Sequence, residues 1–189
     1  MRVLRNGALL AGLFAMLITV LPASADAILR VGVDARWVPI ALETMKEDGG
    51  ASLNKERQLE SLGVGARVLI GVERFALGPK VNFARHTFSD PDLSYSQVDI
   101  NLHARLRMPS ARFAFFTEAG PAVALNIGGV GYTAVLGMEV DILGWPLVDM
   151  NLGLAAQYAN IPIGAGPSEV RRNHGLRGMV VVGFDFKLY

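Results

Sequence analysis

Apolar and polar residues alternate along eight segments of the chain, with turn-forming residues between them. In the clearest segment, 97–107, the apolar residues from Val98 to Leu106 alternate without a break with polar ones. A period of two indicates a β-strand with one apolar face, because successive side chains of a strand point to opposite faces. The eight predicted strands are 28–38, 59–73, 75–88, 97–107, 112–124, 132–141, 147–158 and 174–189. The pattern therefore predicts an all-β fold.

The connections between these strands alternate in length. Those near Arg74, near Pro109 and at 142–146 are short, whereas 39–58, 89–94, 125–131 and 159–173 are mostly longer. Short periplasmic turns and longer outer loops are typical of an up-and-down antiparallel membrane barrel with both termini on the periplasmic side. Residues 41–46 are expected to form a helical turn inside the longest connection. Pro121 is expected to distort its strand or end it early.

The polar faces of the eight strands carry equal numbers of basic and acidic residues, with many glycines between them. These charged residues are Arg30, Arg36, Arg67, Lys80, Arg105, Arg107, Arg177 and Lys187, with Asp34, Glu73, Asp99, Glu118, Glu139, Asp141, Asp149 and Asp185. Alternation alone fits either a soluble barrel with an apolar interior or a membrane barrel with an apolar exterior. Small residues between long charged ones fit a narrow, filled lumen, so we predict an eight-stranded antiparallel transmembrane β-barrel. The alternative is a secreted lipocalin-like barrel that binds a small apolar ligand.

We expect the charges of the lumen to form a structural network. Its predicted members are Arg30, Asp34, Arg36, Arg67, Asp99, His103, Arg105, Arg107, Glu118, Glu139, Asp149 and Arg177. A buried charge without a partner is costly, so the balance of signs indicates mutual pairing rather than an acid and base pair for catalysis. Because side chains can fill the interior of an eight-stranded barrel, the network predicts a plugged lumen rather than a wide pore.

The N-terminal segment has the three parts of a secretory signal peptide. Arg2 and Arg5 precede an apolar run at 8–21, and Ala23-Ser24-Ala25 supplies the small residues of a cleavage site, which places the cut after Ala25. The apolar run is shorter than the roughly twenty residues that a spanning helix needs. Removing the peptide leaves 16 basic and 17 acidic residues, a net charge of −1. The predicted organisation is a signal peptide at 1–25 and one barrel domain at 26–189.

Against this background, the chain resembles the small eight-stranded outer-membrane barrels of the OmpA and OmpX type. The resemblance is carried by residues 97–107, by residues 115–121 and by the C-terminal strand. In that strand, Gly183, Phe186 and Leu188 match the glycine and the two hydrophobic positions of the barrel-assembly signal, whereas Val181 and Tyr189 depart from it. The resemblance implies a location in the outer membrane of a Gram-negative bacterium and insertion by the barrel-assembly machinery.

Residue types exclude several kinds of site. The chain has no cysteine, which removes disulfides and cysteine-ligated zinc, and its three histidines lack the spacing of a metal motif, so neither a metal nor a cofactor is expected. A near-neutral charge argues against a nucleic-acid partner. An enzyme that modifies lipid A would need a histidine, a serine and an acid opening towards lipid. His86 and Ser89 are a weak match, because no acid is clearly placed beside them.

Two further features are assigned to the outer loops. The glycines at 128–131 predict a loop rather than a phosphate-binding turn, because no helix follows them. Arg171 and Arg172 are expected to be solvated, with contact to the phosphates of lipopolysaccharide as the alternative. The expected function is therefore that of a non-enzymatic, monomeric outer-membrane scaffold with outer-membrane lipids and lipopolysaccharide around it. Its outer loops would serve a structural role or surface interactions.

Overall fold

The computed structural model describes residues 28–47, 53–54, 60–72, 74–87, 94–109, 112–125, 129–164 and 170–188. Nine strands account for most of them. They are β1 (Ile28–Glu47), β2 (Leu53–Asn54), β3 (Glu60–Gly71), β4 (Phe75–Thr87), β5 (Tyr95–Arg107), β6 (Phe113–Ala124), β7 (Gly129–Gly144), β8 (Val148–Gly164) and β9 (Val170–Leu188). Among these residues, no helix has the length and apolar character needed to cross a membrane. The predicted signal peptide lies outside the described residues and stays a prediction.

Eight long strands close into a barrel. Each long strand pairs antiparallel with the next along the chain, and β9 returns to pair with β1, while the two-residue β2 lies on the outer part of β1. Closure leaves no open edge in the body of the sheet, which is how an all-β chain satisfies its backbone hydrogen bonds without water. The fold prediction, an eight-stranded antiparallel up-and-down barrel, is confirmed.

The predicted alternation sets the two faces of every strand. In β5 the residues from Gln97 to Arg105 that were assigned to the polar face are buried, and the apolar residues between them face outwards. The same parity holds on β1, where Asp34 is buried and Val33 is 48% exposed. We call the end with the connections at 72–74, 108–112 and 145–147 the turn end, and the opposite one the loop end.

β1 continues far beyond its predicted end at Val38. The predicted helical turn at 41–46 is wrong, because these residues belong to β1 and pair one by one with β9, from Ala41 opposite Arg177 to Lys46 opposite Arg172. Pro39 lies where the β1–β9 register shifts, a position at which its missing N–H is tolerated. The bulge also reverses the parity of the strand, since Trp37 and Ile40 both face outwards.

The neighbouring strands are longer than the sequence indicated as well. β8 extends to Gly164 and β9 starts at Val170, so most of the predicted loop at 159–173 is a hairpin continuing above the barrel. Pro121 does not end β6, which runs to Ala124, but the pairing of β6 with β5 is interrupted between Ala119 and Ala122. A proline that cannot donate to β5 explains the interruption, and this part of the prediction holds.

Candidate functional site: the barrel lumen

The inside of the barrel is rich in charged side chains. Twelve of them are buried among the described residues, six basic and six acidic. They are Arg30, Arg36, Arg67, Lys80, Arg105 and Arg177, with Asp34, Asp99, Glu118, Glu139, Asp149 and Asp185. Apart from Arg107, which is partly buried, every member of the predicted network is buried inside the barrel. Lys80 and Asp185, which the sequence placed only on the polar face, lie among them.

Near the turn end, Asp149 and Asp141 form ion pairs with arginine and lysine side chains. Asp149 receives Arg30 Nη1 at 3.3 Å on Oδ2 and Lys187 Nζ at 2.8 Å on Oδ1. Arg107 pairs with Asp141 and lies 3.7 Å from Asp149 Oδ2. Ion pairs therefore connect side chains of five strands at this end of the lumen, β1, β5, β7, β8 and β9.

Further into the barrel, Asp185 on β9 is held by a two-pronged contact. Arg67 donates from Nε to Oδ1 at 2.8 Å and from Nη2 to Oδ2 at 2.7 Å, the geometry that fits a guanidinium to a carboxylate. Asn151 donates to Asp185 at 3.2 Å, and Arg105 reaches it at 3.3 Å while also pairing with Glu139. The two-pronged contact passes over Gly32 of β1, the strand that lies between β3 and β9.

Glu118 on β6 is the centre of the largest group. Arg36 Nη2 donates to both of its carboxylate oxygens, at 2.7 and 2.9 Å, and Lys80 Nζ donates at 3.0 Å. His103 Nδ1 lies 3.0 Å from Glu118 Oε1. Arg36 Nε also donates to Asp34 at 2.9 Å, and Lys80 pairs with Asp34 as well. Two carboxylates therefore share two cations, and every one of these side chains is buried.

Nearer the loop end, Arg177 is surrounded by neutral polar groups. Its guanidinium donates to the Tyr95 hydroxyl at 2.7 Å and to Gln97 Oε1 at 3.4 Å, and it lies 3.2 Å from His86 Nε2. Gln97 in turn donates to Asp99. His86, Tyr95 and Gln97 were not in the predicted network. Their position on the inward parity of β4 and β5 was the signal that could have found them.

One side of the lumen is apolar. Phe116, Val135, Ala155, Met179 and Val181 are buried there, on β6 to β9. The sequence analysis missed this cluster as a unit, although its members share the inward parity of their charged neighbours. We call these five residues the apolar sector, and the group around Glu118 together with the Arg67 and Asp185 pair the charged sector. The rings of His103 and Phe116 stack at their boundary, with centroids 5.6 Å apart.

Glycine makes room for both sectors. A Cβ at Gly32 would lie 2.2 Å from Asp185 Oδ1 and 2.8 Å from Arg67 Nε, so the paired side chains occupy the space that any larger residue would need. A Cβ at Gly137 would lie 2.3 Å from Cζ of Phe116. The long inward side chains therefore fit in the narrow lumen only because the paired positions on the neighbouring strands are glycines.

The outer surface of the barrel is apolar. Leu62, Ile100, Leu136 and Leu154 are 55% to 68% exposed, and such residues recur on every long strand. Leu152 is also exposed, at 42%. A lipocalin-like barrel would bury these side chains in its middle and direct the charges outwards, and the described residues show the opposite arrangement. The soluble alternative is therefore not favoured.

Aromatic side chains lie on the outer surface near both ends. Trp37, Tyr132 and Tyr158 are exposed near the loop end, and Phe113 and Trp145 near the turn end. The Tyr132 hydroxyl accepts a hydrogen bond from Asn160 at 3.2 Å. Rings that combine an apolar body with a polar edge fit the two boundaries between hydrocarbon and water.

Little in the described lumen resembles a reactive centre. His86 faces inwards against Arg177, so it does not open towards the outer apolar surface, and Ser89 lies outside the described residues. His103 contacts Glu118, and His174 lies 3.1 Å from the Tyr158 hydroxyl. No group of three or more histidine and acidic side chains suited to a metal occurs in the described part of the chain.

Several solved structures are similar to this chain at low sequence identity and with TM-scores below 0.5. Neisserial surface protein A matches with 15% identity and a TM-score of 0.47, over 85% of this chain and 97% of that chain. Ail, the attachment invasion locus protein of Yersinia pestis, matches with 9% identity and a TM-score of 0.46, over 86% and 99%. The outer membrane protein AlkL, solved in lipid bilayers, matches with 12% identity and a TM-score of 0.49, over 87% and 90%.

No family model matches the chain, and no curated protein sequence does. The barrel's own geometry therefore carries the functional argument. Eight closed antiparallel strands, with apolar side chains outside and charged ones inside, are the architecture of the small outer-membrane barrels.

Proposed function

We propose that this protein is a closed outer-membrane scaffold, which holds its outer loops on a barrel whose lumen is plugged by ion pairs. The observation that carries the proposal is the succession of paired charges along the lumen. Asp149 joins Arg30 and Lys187 near the turn end, Asp185 binds Arg67 deeper inside, and Glu118 gathers the cations beyond it.

The outer surface supports the membrane location. An apolar belt around a whole barrel would be costly in water but is favourable in lipid, where every backbone group must be paired within the sheet. The shortest long strands have 12 residues. At about 3.3 Å per residue and a tilt of about 40°, such a strand spans roughly 30 Å, the thickness of the hydrocarbon layer. Export by the predicted signal peptide belongs to the same proposal.

The balance of charge supports the plug. Among the described residues, six buried cations and six buried anions give the lumen no excess of either sign that would attract one class of ion. Permeation would also require separating contacts such as Arg36 to Glu118, which joins β1 to β6 on the opposite wall and in which both side chains are almost fully buried. Opening a water path along the axis would leave these charges unpaired, which is strongly unfavourable.

A scaffold role leaves the interactions to the loop end. β1, β8 and β9 are longer than the other strands, so one wall of the barrel extends further at the loop end. Loops on a rigid barrel can bind a partner without disturbing the paired lumen. We propose no enzymatic activity, since His86, the one candidate for a lipid-modifying site, points into the barrel.

The C-terminal strand supports assembly by the barrel-assembly machinery. Phe186 and Leu188 are exposed on the outer face, at 46% and 50%, while Gly183 is buried against Asn151. The barrel-assembly machinery would recognise this signal as a strand whose apolar residues alternate on the outward face. The monomeric state belongs to the same proposal, because one chain closes the barrel.

Conductance in planar lipid bilayers tests the plug. The purified protein is expected to give no large stable openings. The double variant Arg67→Ala with Asp185→Ala, which deletes one of the buried ion pairs, is expected to conduct more often than the parent. Large stable openings of the parent protein would contradict the plug. Fractionation with outer membranes and heat-modifiable gel migration test the location separately.

A further inference from the structure

The lipid-facing surface carries a groove that the charged lumen does not explain. Its volume is about 560 Å³, and it lies across β1, β3, β4 and β9, with Val33, Ala35, Val64, Phe83 and Phe184 among its lining residues. All five point outwards, so the groove is open to whatever surrounds the barrel.

Small residues on adjacent strands create the depression. Ala35 pairs with Val64, and Ala66 pairs with Val33, so the two alanines lie diagonally across the β1–β3 ladder. Phe83 stands beside Val64 on one side, and Phe184 stands beside Val33 on the other. Two alanines between two rings leave a slot of the width and chemistry of a hydrocarbon chain.

The next row of outward residues towards the loop end adds a charge. It runs across the strands from Trp37 through Leu62 to Arg85, and Arg85 is only two residues beyond Phe83 on β4. Tryptophan on a membrane barrel marks the boundary between hydrocarbon and headgroups. Arg85 therefore lies at headgroup depth, just beyond the edge of the slot that Phe83 forms.

Arg85 is exposed and has no ion-pair or hydrogen-bond partner among the described residues. It differs in this from Arg36, Arg67 and Arg105 inside the barrel, each of which has a carboxylate. A guanidinium binds phosphate well, because its planar donors match two oxygens at once. A second copy of this barrel would cover Arg85, but the described residues on its outer surface include no exposed carboxylate to pair with the guanidinium. A phosphorylated lipid supplies both the phosphate and the acyl chain.

We propose that this site holds one molecule of lipopolysaccharide, with a phosphate of its lipid A on Arg85 and one acyl chain in the slot over Ala35 and Ala66. This inference rests on the proposed location in the outer membrane with the loop end outwards, because lipid A fills the outer leaflet there. The site lies on the outer surface of the barrel and does not depend on whether the lumen conducts.

Native mass spectrometry of the full-length folded protein in mild detergent, titrated with purified bis-phosphorylated lipid A, tests the site. One bound lipid A is expected at saturation. Arg85→Gln removes the cation, and Ala35→Phe fills the slot, and each is expected to weaken binding by about tenfold, the effect of losing one charge-assisted contact or one seated chain.

Two matched variants control for general effects on the surface. Ala156→Phe adds the same ring to an outward alanine on β8, and Arg112→Gln removes an exposed arginine at the turn end. Both are expected to bind as the parent does. Heat-modifiable gel migration confirms for every variant that the barrel is folded, so a lost site is distinguished from a lost fold.

Three outcomes would overturn the proposal. Binding that is unchanged in both Arg85→Gln and Ala35→Phe would remove the site. Equal binding of dephosphorylated lipid A would remove the role of Arg85, and equal, equally variant-sensitive binding of phosphatidylglycerol would replace lipopolysaccharide with a phospholipid. If the protein fails to fractionate with outer membranes, the proposed function fails, whereas loss of lipid A binding by a correctly located barrel refutes only this inference.

Discussion

The charged and apolar sectors fill neighbouring parts of one narrow lumen by different means. In the charged sector, Glu118 contacts five side chains from three strands, so each group is held by partners at fixed distances. In the apolar sector, Met179 and Val181 fill volume without directional contacts. Ion pairs fix which residues face one another, because a slip of one residue would turn every charge on a strand into lipid. Apolar filling adds stability but does not distinguish closely similar packings.

The largest expected effect follows from removing the centre of the charged sector. Glu118→Ala leaves Arg36 and Lys80 with Asp34 as their remaining carboxylate. Because two buried cations would then share one anion, we expect the free energy of unfolding to fall by about 3–5 kcal/mol. Urea unfolding from lipid vesicles, followed by tryptophan fluorescence, measures it. Glu118→Gln, which keeps the shape, is expected to lose less, and an Ala variant as stable as the parent would mean that the contacts carry no net stability.

A second prediction separates pairing from the presence of charge. Arg67→Met and Asp185→Leu, made singly, each leave a buried ion without its main partner, and each is expected to cost about 3 kcal/mol. The double variant replaces the pair by apolar side chains and is expected to be more stable than either single variant. Unfolding of all four proteins in the same vesicles gives the coupling. Additive losses would show that Arg67 and Asp185 act independently, contrary to their two-pronged contact.

Most of the fold could be predicted from the period-two alternation, because a strand at a lipid boundary must place apolar residues on one face and polar residues on the other. The local sequence of segment 97–107 was enough to define both faces of β5. The same alternation identified which of its charged residues point inwards. What parity cannot supply is the partner of each charge. Glu118 meets Arg36 across 82 residues of sequence, a contact set by strand order, shear and rotamers together.

The outer ends of the strands show why the rest was missed. Residues 41–46 include good helix formers, and Pro39 reads as a strand terminator. Pairing with β9 overrides both signals, since β9 satisfies the backbone of β1 as far as Glu47 and the proline lies at a bulge. The apolar sector was missed for a related reason. Val135 or Met179 alone breaks the alternation, and only closure of the barrel brings such exceptions together.

A smaller effect is expected where a glycine shapes the boundary of the two sectors. Gly137→Ala places a methyl group 2.3 Å from Phe116 Cζ and 2.8 Å from Ala155 Cβ. The ring must move to relieve the overlap, so we expect a loss of about 1–3 kcal/mol. The paired change Gly137→Ala with Phe116→Leu tests the cause, because a smaller side chain should recover part of the loss. If the second substitution recovers nothing, the overlap with Phe116 is not the origin of the effect.

The smallest change should come from reshaping the apolar sector at constant volume. Met179→Leu keeps a buried side chain of similar size among Phe116, Val135 and Val181, where no hydrogen bond or ion pair is at stake. Volume-conserving swaps of this kind cost less than about 1.5 kcal/mol, well below the loss expected for Glu118→Ala. Urea unfolding in the same vesicles gives the comparison. A loss at Met179 as large as that at Glu118 would mean that the apolar sector also depends on unique contacts, and the division of the lumen into a specifying part and a filling part would fail.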